Sequence, residues 1–256
     1  MTEIRPIRHS EGRAFLELLC DVFSLDFNRA VDVFFAEPLY EPNRKWALFE
    51  GREMVSILTT TPLIFGWGRA FGIAGVATRK DRQGQGHASQ LIQRIVAEGE
   101  RIGERGALLF AKDTSLYERN GFEPLDHVVR AEIVTNPEPE GRIMESEEIE
   151  ILYDNWARGH SNRLRRDARR WAYWQWNYRV PTEYRGGYLC HETSTLREGL
   201  FRAGPSSLPL PPGIEWLGTS LMTDQLQVPI RDPKIDLYLM GRNVPGVPQM
   251  FMTDQF

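Results

Sequence analysis

Cysteine is scarce in this sequence: Cys20 and Cys190 are the only two in 256 residues, and both sit beside apolar neighbours. That excludes a disulfide framework and fits a reducing, cytoplasmic compartment. Long apolar runs are missing too. None approaches the roughly 18 residues that span a bilayer, and the first residues, Met1 to Pro6, contain no apolar signal region. There is also no excess of basic charge. With 31 Lys and Arg against 35 Asp and Glu, the formal net charge is −4. Phosphate binding in general needs a concentrated positive surface, so neither nucleic acid nor membrane is expected as a partner. The remainder is ordinary for a globular protein, 41% hydrophobic and 26% charged. The length suits one large domain or two small ones.

The first half reads as alternating strands and helices. Ile4 to Arg8 alternates as a strand, and Ser10 can cap a helix whose Phe15, Leu18, Leu19, Val22 and Phe23 share a face. A second helix carries Phe27, Val31, Phe34 and Phe35 and stops before Pro38. Trp46–Phe49, Met54–Ile64 and Phe71–Thr78 are strands with tight connections, an antiparallel meander. A helix follows with Leu91, Ile92, Ile95 and Ile102 at helical spacing. Next come a buried strand at Ala107–Ala111, a short helix at Ser115–Arg119 and a strand at His127–Val134.

The Pro/Gly-rich stretch 136–141 reads as a linker. Beyond it, helices are expected over Glu147–Arg158 and Asn162–Tyr178, with strands at Gly187–Glu192 and Leu237–Met240 and a loop over Gly204–Gly213. The second helix carries Arg163, Arg165, Arg166, Arg169 and Arg170 among Trp171, Trp174, Trp176 and Tyr178. It reads as amphipathic, with aromatics buried against the first domain and arginines solvated or paired to Glu145–Glu148.

One loop carries chemistry. The strand through Val76, Ala77 and Thr78 runs into Gln83, Gly84, Gln85, Gly86, His87, Ala88 and Ser89, and a helix begins at once. Glycines let backbone N–H groups approach a ligand, and a helix N-terminus favours an anion, so the loop suits a diphosphate. The Gly-Lys-Ser/Thr ending of a P-loop is missing, and so is the third glycine of a dinucleotide fingerprint. His87 lies within the loop, and its side chain is expected to face solvent.

Gln83-x-x-Gly86-x-Ala88 resembles the Gln/Arg-x-x-Gly-x-Gly/Ala signature of the GNAT superfamily of acetyl-CoA-dependent N-acetyltransferases. Leu116-Tyr117-Glu118-Arg119-Asn120-Gly121-Phe122 is similar to that superfamily's Tyr-x-x-x-Gly-Phe element. The resemblance implies an α/β (α+β) fold with a mixed, splayed central sheet and flanking helices over 1–135. The linker follows, and then a second, smaller α/β module over 142–256, read as a degenerate copy without a cradle. It further implies that acetyl-CoA is the cosubstrate and that no metal is needed. Val76, Ala77 and Thr78 would bond the pantetheine arm, and Gln83 to Ser89 would hold the diphosphate. An N–H near Gly75 and Val76 would polarise the thioester carbonyl. Tyr117 would protonate the leaving thiolate. Lys112 and Asp113, after the buried strand, stand where pantetheine or acceptor would pass.

Phe71 to Thr78 contains no acid, histidine or serine, so the meander supplies no general base. Asp26, Asp32 and Glu37 lie in the helical region that flanks the acceptor in this family. The two-module order also resembles that of Eis-type acetyltransferases, longer chains with a further domain, in which the terminal carboxylate enters the active site. On that resemblance the Phe256 carboxylate is a candidate base. The expected activity is acetyl transfer to the amine of a small molecule or peptide, in a monomer or homo-oligomer. The other reading is a non-catalytic acyl-CoA-binding or regulatory protein.

Overall fold

The computed structural model describes residues 2–136, 141–177 and 179–256. Most of the expected linker (137–140) and Tyr178 therefore lie outside the described residues. Strand β1 (Thr2–Pro6) is tied to the turn after it by Arg5, which donates two 2.7 Å bonds to the Glu11 carboxylate. Glu11 in turn accepts the Arg8 N–H, so Glu11, and not Ser10, organises this turn. Helix α1 (Gly12–Phe23) buries Phe15, Leu16, Leu18 and Cys20. Helix α2 (Phe27–Ala36) is capped by Asp26, whose carboxylate accepts the Arg29 N–H at 3.0 Å.

The meander is present as expected: β2 (Lys45–Glu50), β3 (Glu53–Phe65) and β4 (Gly68–Thr78) pair antiparallel in turn. Helices α1 and α2 cover one face of it. The other face takes Leu91, Ile92, Ile95 and Val96 of α3 (His87–Arg101). Strand β5 (Gly106–Ala111) runs parallel to β4, and α4 (Ser115–Glu118) leads into β6 (Glu123–Ile133).

From its first helix the second half follows this order, with β7 inserted between the helices and no counterpart of α3 among the described residues. Helix α5 (Ser146–Arg158), the two-residue strand β7 (Leu164–Arg165) and α6 (Ala168–Trp176) come first. A second meander follows, β8 (Val180–Tyr184), β9 (Gly187–Glu192) and β10 (Thr195–Leu200). Strand β11 (Glu215–Thr219) is parallel to β10, as β5 is to β4. A short helix, α7 (Ser220–Leu226), precedes β12 (Ile230–Arg242), as α4 precedes β6. Among the described residues nothing corresponds to α3; the loop over 201–214 takes its place.

The two halves exchange their last strands. The sheet order is β1-β2-β3-β4-β5-β12-β6-β11-β10-β9-β8, so β12 lies between β5 and β6, and β6 lies between β12 and β11. Only Leu237–Met240 of β12 read as strand in the sequence. The full strand carries Asp232 and Pro233 across a register shift between Arg231 and Lys234, with Asp232 at φ 48°, so a bulge absorbs what looked like a turn.

Two expectations for the second half are corrected. The Asn162–Tyr178 helix starts only at Ala168, because Asp167 caps it by accepting the Arg170 N–H at 2.9 Å, and Leu164 and Arg165 pair with Phe65 and Ile64 of β3. The arginines are neither all solvated nor paired to Glu145–Glu148. Arg166 and Arg170 are 7% and 3% exposed and meet the C-terminal segment instead. Among the described residues no helix is long and apolar enough to cross a membrane.

Because β12 completes the first half, its buried side chains should hold both halves together. Met240 is fully buried among Leu91, Leu109 and Phe122. Met240→Ala should destabilise the fold by about 2–5 kcal/mol. Urea unfolding followed by tryptophan fluorescence and by far-UV circular dichroism should give a single, coincident transition shifted to lower midpoint.

Candidate active site

The site begins where a parallel pair stops pairing. Strands β4 and β5 are in register from Ala70↔Gly106 to Ile73↔Leu109. After Ile73, β4 bulges: Thr59 pairs with Ala74 but Ile57 pairs with Ala77, so that Gly75 and Val76 stand opposite the single residue Leu58. Gly75 has φ 59°, a conformation open to glycine, and its α-carbon faces Leu19 of α1. A bulge bends the strand and strengthens its twist, so β4 turns away from β5. The β5-facing backbone of Ala74 to Thr78 is left without a strand partner.

Below this opening lies a cavity of about 620 Å³. Its wall joins β4 (Val76, Thr78), the glycine loop (Arg82, Gln83, Gly84, Gly86), the start of α3 (His87, Ala88, Ser89), α1 (Val22) and α4 (Leu116, Arg119). Gly84 and Gly86 have φ 77° and 82°, and a Cβ on either would meet nothing within 4 Å. The first hydrogen bond of α3 runs from the Gln90 N–H to the Gly86 carbonyl. The N–H groups of His87, Ala88 and Ser89 therefore project from the helix end, with its positive dipole behind them. The Gln83 amide donates to the Thr78 carbonyl at 3.1 Å and folds the loop back on β4. Arg82 bonds Glu50 at 3.1 Å, which holds its guanidinium at the rim.

His87 does not face solvent as expected. It is 6% exposed, with Nε2 3.8 Å from the Glu50 carboxylate, and neither ring nitrogen has a hydrogen-bond partner among the described residues. A side chain on the first helical residue leans back toward the N-terminus, here into the wall of the cavity. Ala77 faces the α1 core, and Gln85 is exposed beside the cavity and outside its lining. Asp113 is exposed and accepts the Ser115 N–H at 2.9 Å, so its carboxylate shapes the turn into α4. Arg82, Arg119, Val22 and Leu116 are lining residues that motif reading did not single out.

Tyr117 packs against the cluster of Ile73, Leu109 and Phe122, and its neighbours Leu116 and Arg119 of the same turn, not Tyr117 itself, line the cavity. Burial pushes its phenol above the ordinary value, and Asp113 adds to this. Asn120 fixes the end of α4 by donating to Ser89 Oγ at 3.1 Å and to the Leu116 carbonyl at 2.7 Å. Its own carbonyl accepts from Arg242 of β12 at 2.7 Å, so the exchanged strand reaches the site.

On the opposite face of the sheet, Lys45, Thr59 and Ala74 are cross-strand neighbours, as are Thr61 and Gly72. Cross-strand neighbours share a face, so these residues form one floor. The ring of Phe256 lies on Gly72, where any Cβ would fall inside it, and 5.5 Å from the ring of Phe110. At the other end of the floor the Lys45 ammonium stands over the rings of Phe34 and Tyr40, at 4.8 and 5.5 Å. Burial raises the Glu37 carboxyl above the usual carboxylate range despite the nearby Lys45, and burial lowers Lys45 despite Glu37. Asp26 is occupied as the α2 cap and Asp32 is exposed. No group of His, Cys, Asp and Glu suited to a metal occurs among the described residues.

Comparison with known proteins agrees with this geometry. Residues 3–125 match the acetyltransferase (GNAT) domain family. No curated protein sequence matches the chain. The structure is similar to that of a GCN5-related N-acetyltransferase from Kribbella flavida, with a TM-score of 0.72 at 15% identity over 94% of this chain and 72% of that one. It is similar to one from Anabaena variabilis, with a TM-score of 0.68 at 15% identity over the same shares, 94% and 72%. It is also similar to Eis1 from Mycobacterium abscessus, with a TM-score of 0.60 at 13% identity over 93% of this chain and 73% of that one. At these identities the likeness is one of fold.

Proposed function

We propose that this chain, which carries a GNAT acetyltransferase domain over residues 3–125, transfers an acetyl group from acetyl-CoA to a primary amine by direct attack in a ternary complex. The observation that carries the reading is the cavity at the β4–β5 opening, where unpaired strand backbone and the free amides of α3 converge. The amides of residues 84–89 take the diphosphate, Arg119 adds positive charge at the rim, and the pantetheine follows the free edge of β4.

The amine nitrogen attacks the thioester carbon while a backbone N–H near Val76 stabilises the oxygen. The carbon–sulfur bond then breaks and the electron pair leaves on sulfur. Tyr117 donates to that sulfur. Its phenol is raised above about 10 while an ordinary thiol titrates near 8.5, so its main contribution is a strong hydrogen bond to the thiolate. Two groups are candidates to take the amine proton. Glu37 is half-buried with a raised carboxyl, which makes it a better base than an exposed acid. The Phe256 carboxylate is the other, supported by the seating of its ring on Gly72 beside Ala74.

Calorimetry with acetyl-CoA tests the cradle. Gly86→Asp should weaken binding at least about tenfold, since each lost charge-assisted hydrogen bond is worth roughly 1.5–3 kcal/mol. Gly86→Ala carries the same backbone strain without the charge and should lose less. Equal affinity of Gly86→Asp and the native protein removes the diphosphate from this loop.

Tyr117→Phe should lower kcat by about 100-fold, the small end of general acid–base effects, with little change in acetyl-CoA affinity. Free-thiol release with a panel of amines is the measurement. Tight acetyl-CoA binding with no release on any amine would favour a non-catalytic binding protein.

The two candidate bases separate by substitution and pH. Glu37→Gln should lower kcat and remove the acid limb of its pH profile if Glu37 is the base. A base must be deprotonated, so a raised carboxyl places that limb above the usual carboxylate range and activity falls as pH drops through it. Residues added after Phe256 should instead abolish turnover if its carboxylate is used. Native kinetics in both variants exclude both groups.

A further inference from the structure

In the second half, β10 and β11 pair only at Thr195↔Glu215 and Leu196↔Trp216, and β10 then bulges between Leu196 and Glu198. In the first half the same combination opens a cavity. Here it is filled by the chain's own residues. Met252 packs on Val128 and Leu217, and Thr253 donates to Glu198. Arg166, fully buried, spends every nitrogen: Nε on Asp254 at 3.0 Å, Nη1 on Glu198 at 3.1 Å, and Nη2 on Glu198, Asp254 and Thr253 at 2.6, 2.8 and 3.0 Å. Its Cζ lies 3.8 Å from the ring centre of Tyr153. Tyr188 and Trp174 donate to Glu198 at 2.5 and 2.9 Å. Arg170 donates to the Asp254 carbonyl at 3.4 Å and to the Pro62 carbonyl of β3 at 2.9 Å, which ties the segment to the floor of the first half.

We propose that the second half is a socket for residues 250–256, and that Arg166 and Asp254 are positioning residues that set Phe256 on Gly72 as the acceptor-side wall of the catalytic cleft. Buried ion pairs add little net stability, because desolvation offsets their attraction. What this knot supplies is register. A slip of one residue would put Thr253 or Gln255 where Asp254 sits and leave a buried guanidinium unpaired. Two residues beyond Asp254 the chain reaches Gly72. That residue has no positive φ to explain it and is needed because the Phe256 ring occupies the place of a side chain. The kinetic part of the proposal rests on the acyl-transfer reading; the socket itself does not.

Hydrogen exchange of the 250–256 peptide and steady-state kinetics on the full chain test it together. The native segment should be protected, since the Asp254 and Gln255 amides donate to Phe251 and Met252. Asp254→Asn should exchange at least tenfold faster there and not in α3. Two variants leave the knot intact, Gly72→Ala and a glycine inserted between Asp254 and Gln255. Both should keep the protection of the Asp254 amide and the melting temperature. Both should also lower kcat/KM for the amine by about 10- to 100-fold, with the KM for acetyl-CoA unchanged, as expected for misplacement by an ångström or more. Native amine kinetics in both variants overturn the positioning role, and unchanged exchange in Asp254→Asn overturns the socket. If Asp254→Asn does not fold, the other two variants decide the positioning role and exchange of the native segment decides the socket, where a fast-exchanging segment overturns it. If no amine is acetylated, the acyl-transfer reading fails and exchange alone still decides the socket.

Discussion

Between β5 and β6 the sheet has a place for one more strand, and the chain fills it from its far end with residues 230–242. Without that strand, β5 would be an exposed edge carrying a row of unpaired backbone groups. The exchange of β6 and β12 fixes the relation of the two halves. It brings Arg242 to the Asn120 carbonyl at the end of α4, and it returns the chain to the side where the last residues enter the second half. The two openings, β4 from β5 and β10 from β11, thus lie in one continuous sheet with different contents. One has a glycine loop and a helix N-terminus below it. The other has the chain's own segment.

Charge is used in opposite ways in the two. At the first, partial charges of backbone N–H groups face an open cavity. At the second, full charges are closed away from water and satisfied internally. Burial alone would raise the Glu198 carboxyl, but Arg166 outweighs it and holds Glu198 below the usual carboxylate range. Burial alone would lower the Arg166 guanidinium, and Asp254 and Glu198 outweigh that as well. Both shifts favour the charged forms of the pair. That is consistent with a positional role and not a chemical one.

The glycine loop was legible because its signals are local. Gly84 and Gly86 stand next to a helix start, and the meander strands alternate within a few residues of tight turns. The knot was not legible. Arg166 in sequence is one arginine of a run on what reads as a single helix. Its partners, Glu198 and Asp254, lie far along the chain, and no periodicity couples them. Leu164 and Arg165 look helical by composition, but they are claimed as strand by β3, and the Asp167 cap moves the helix start past them. His87 was misread for a similar reason: residue type suggested solvent, while direction on the first helical turn decided burial. Gly72 carried a signal that could have been read. It is a glycine inside an apolar strand, with no turn nearby, and such glycines often mark close approach by another group.

The exchanged strands also bear on how the chain acquires its structure. A polypeptide emerges from its N-terminus, and the first half contains its cradle, meander and tyrosine helix well before residue 230 is made. Until β12 arrives, β5 and β6 have no common neighbour, and the β5–β12 pairing has the sequence separation of Ala111 from Tyr238. Closure over such a distance is slow compared with local helix and hairpin formation. The nascent first half therefore passes through a stage with two open strand edges, the form most prone to pair with another chain. Once residues 230–242 are made, a chain whose β12 has not yet docked can lend it to the open β5 edge of a second chain. Dimers formed by swapping that strand are the misassembly to look for when the protein is produced at high concentration.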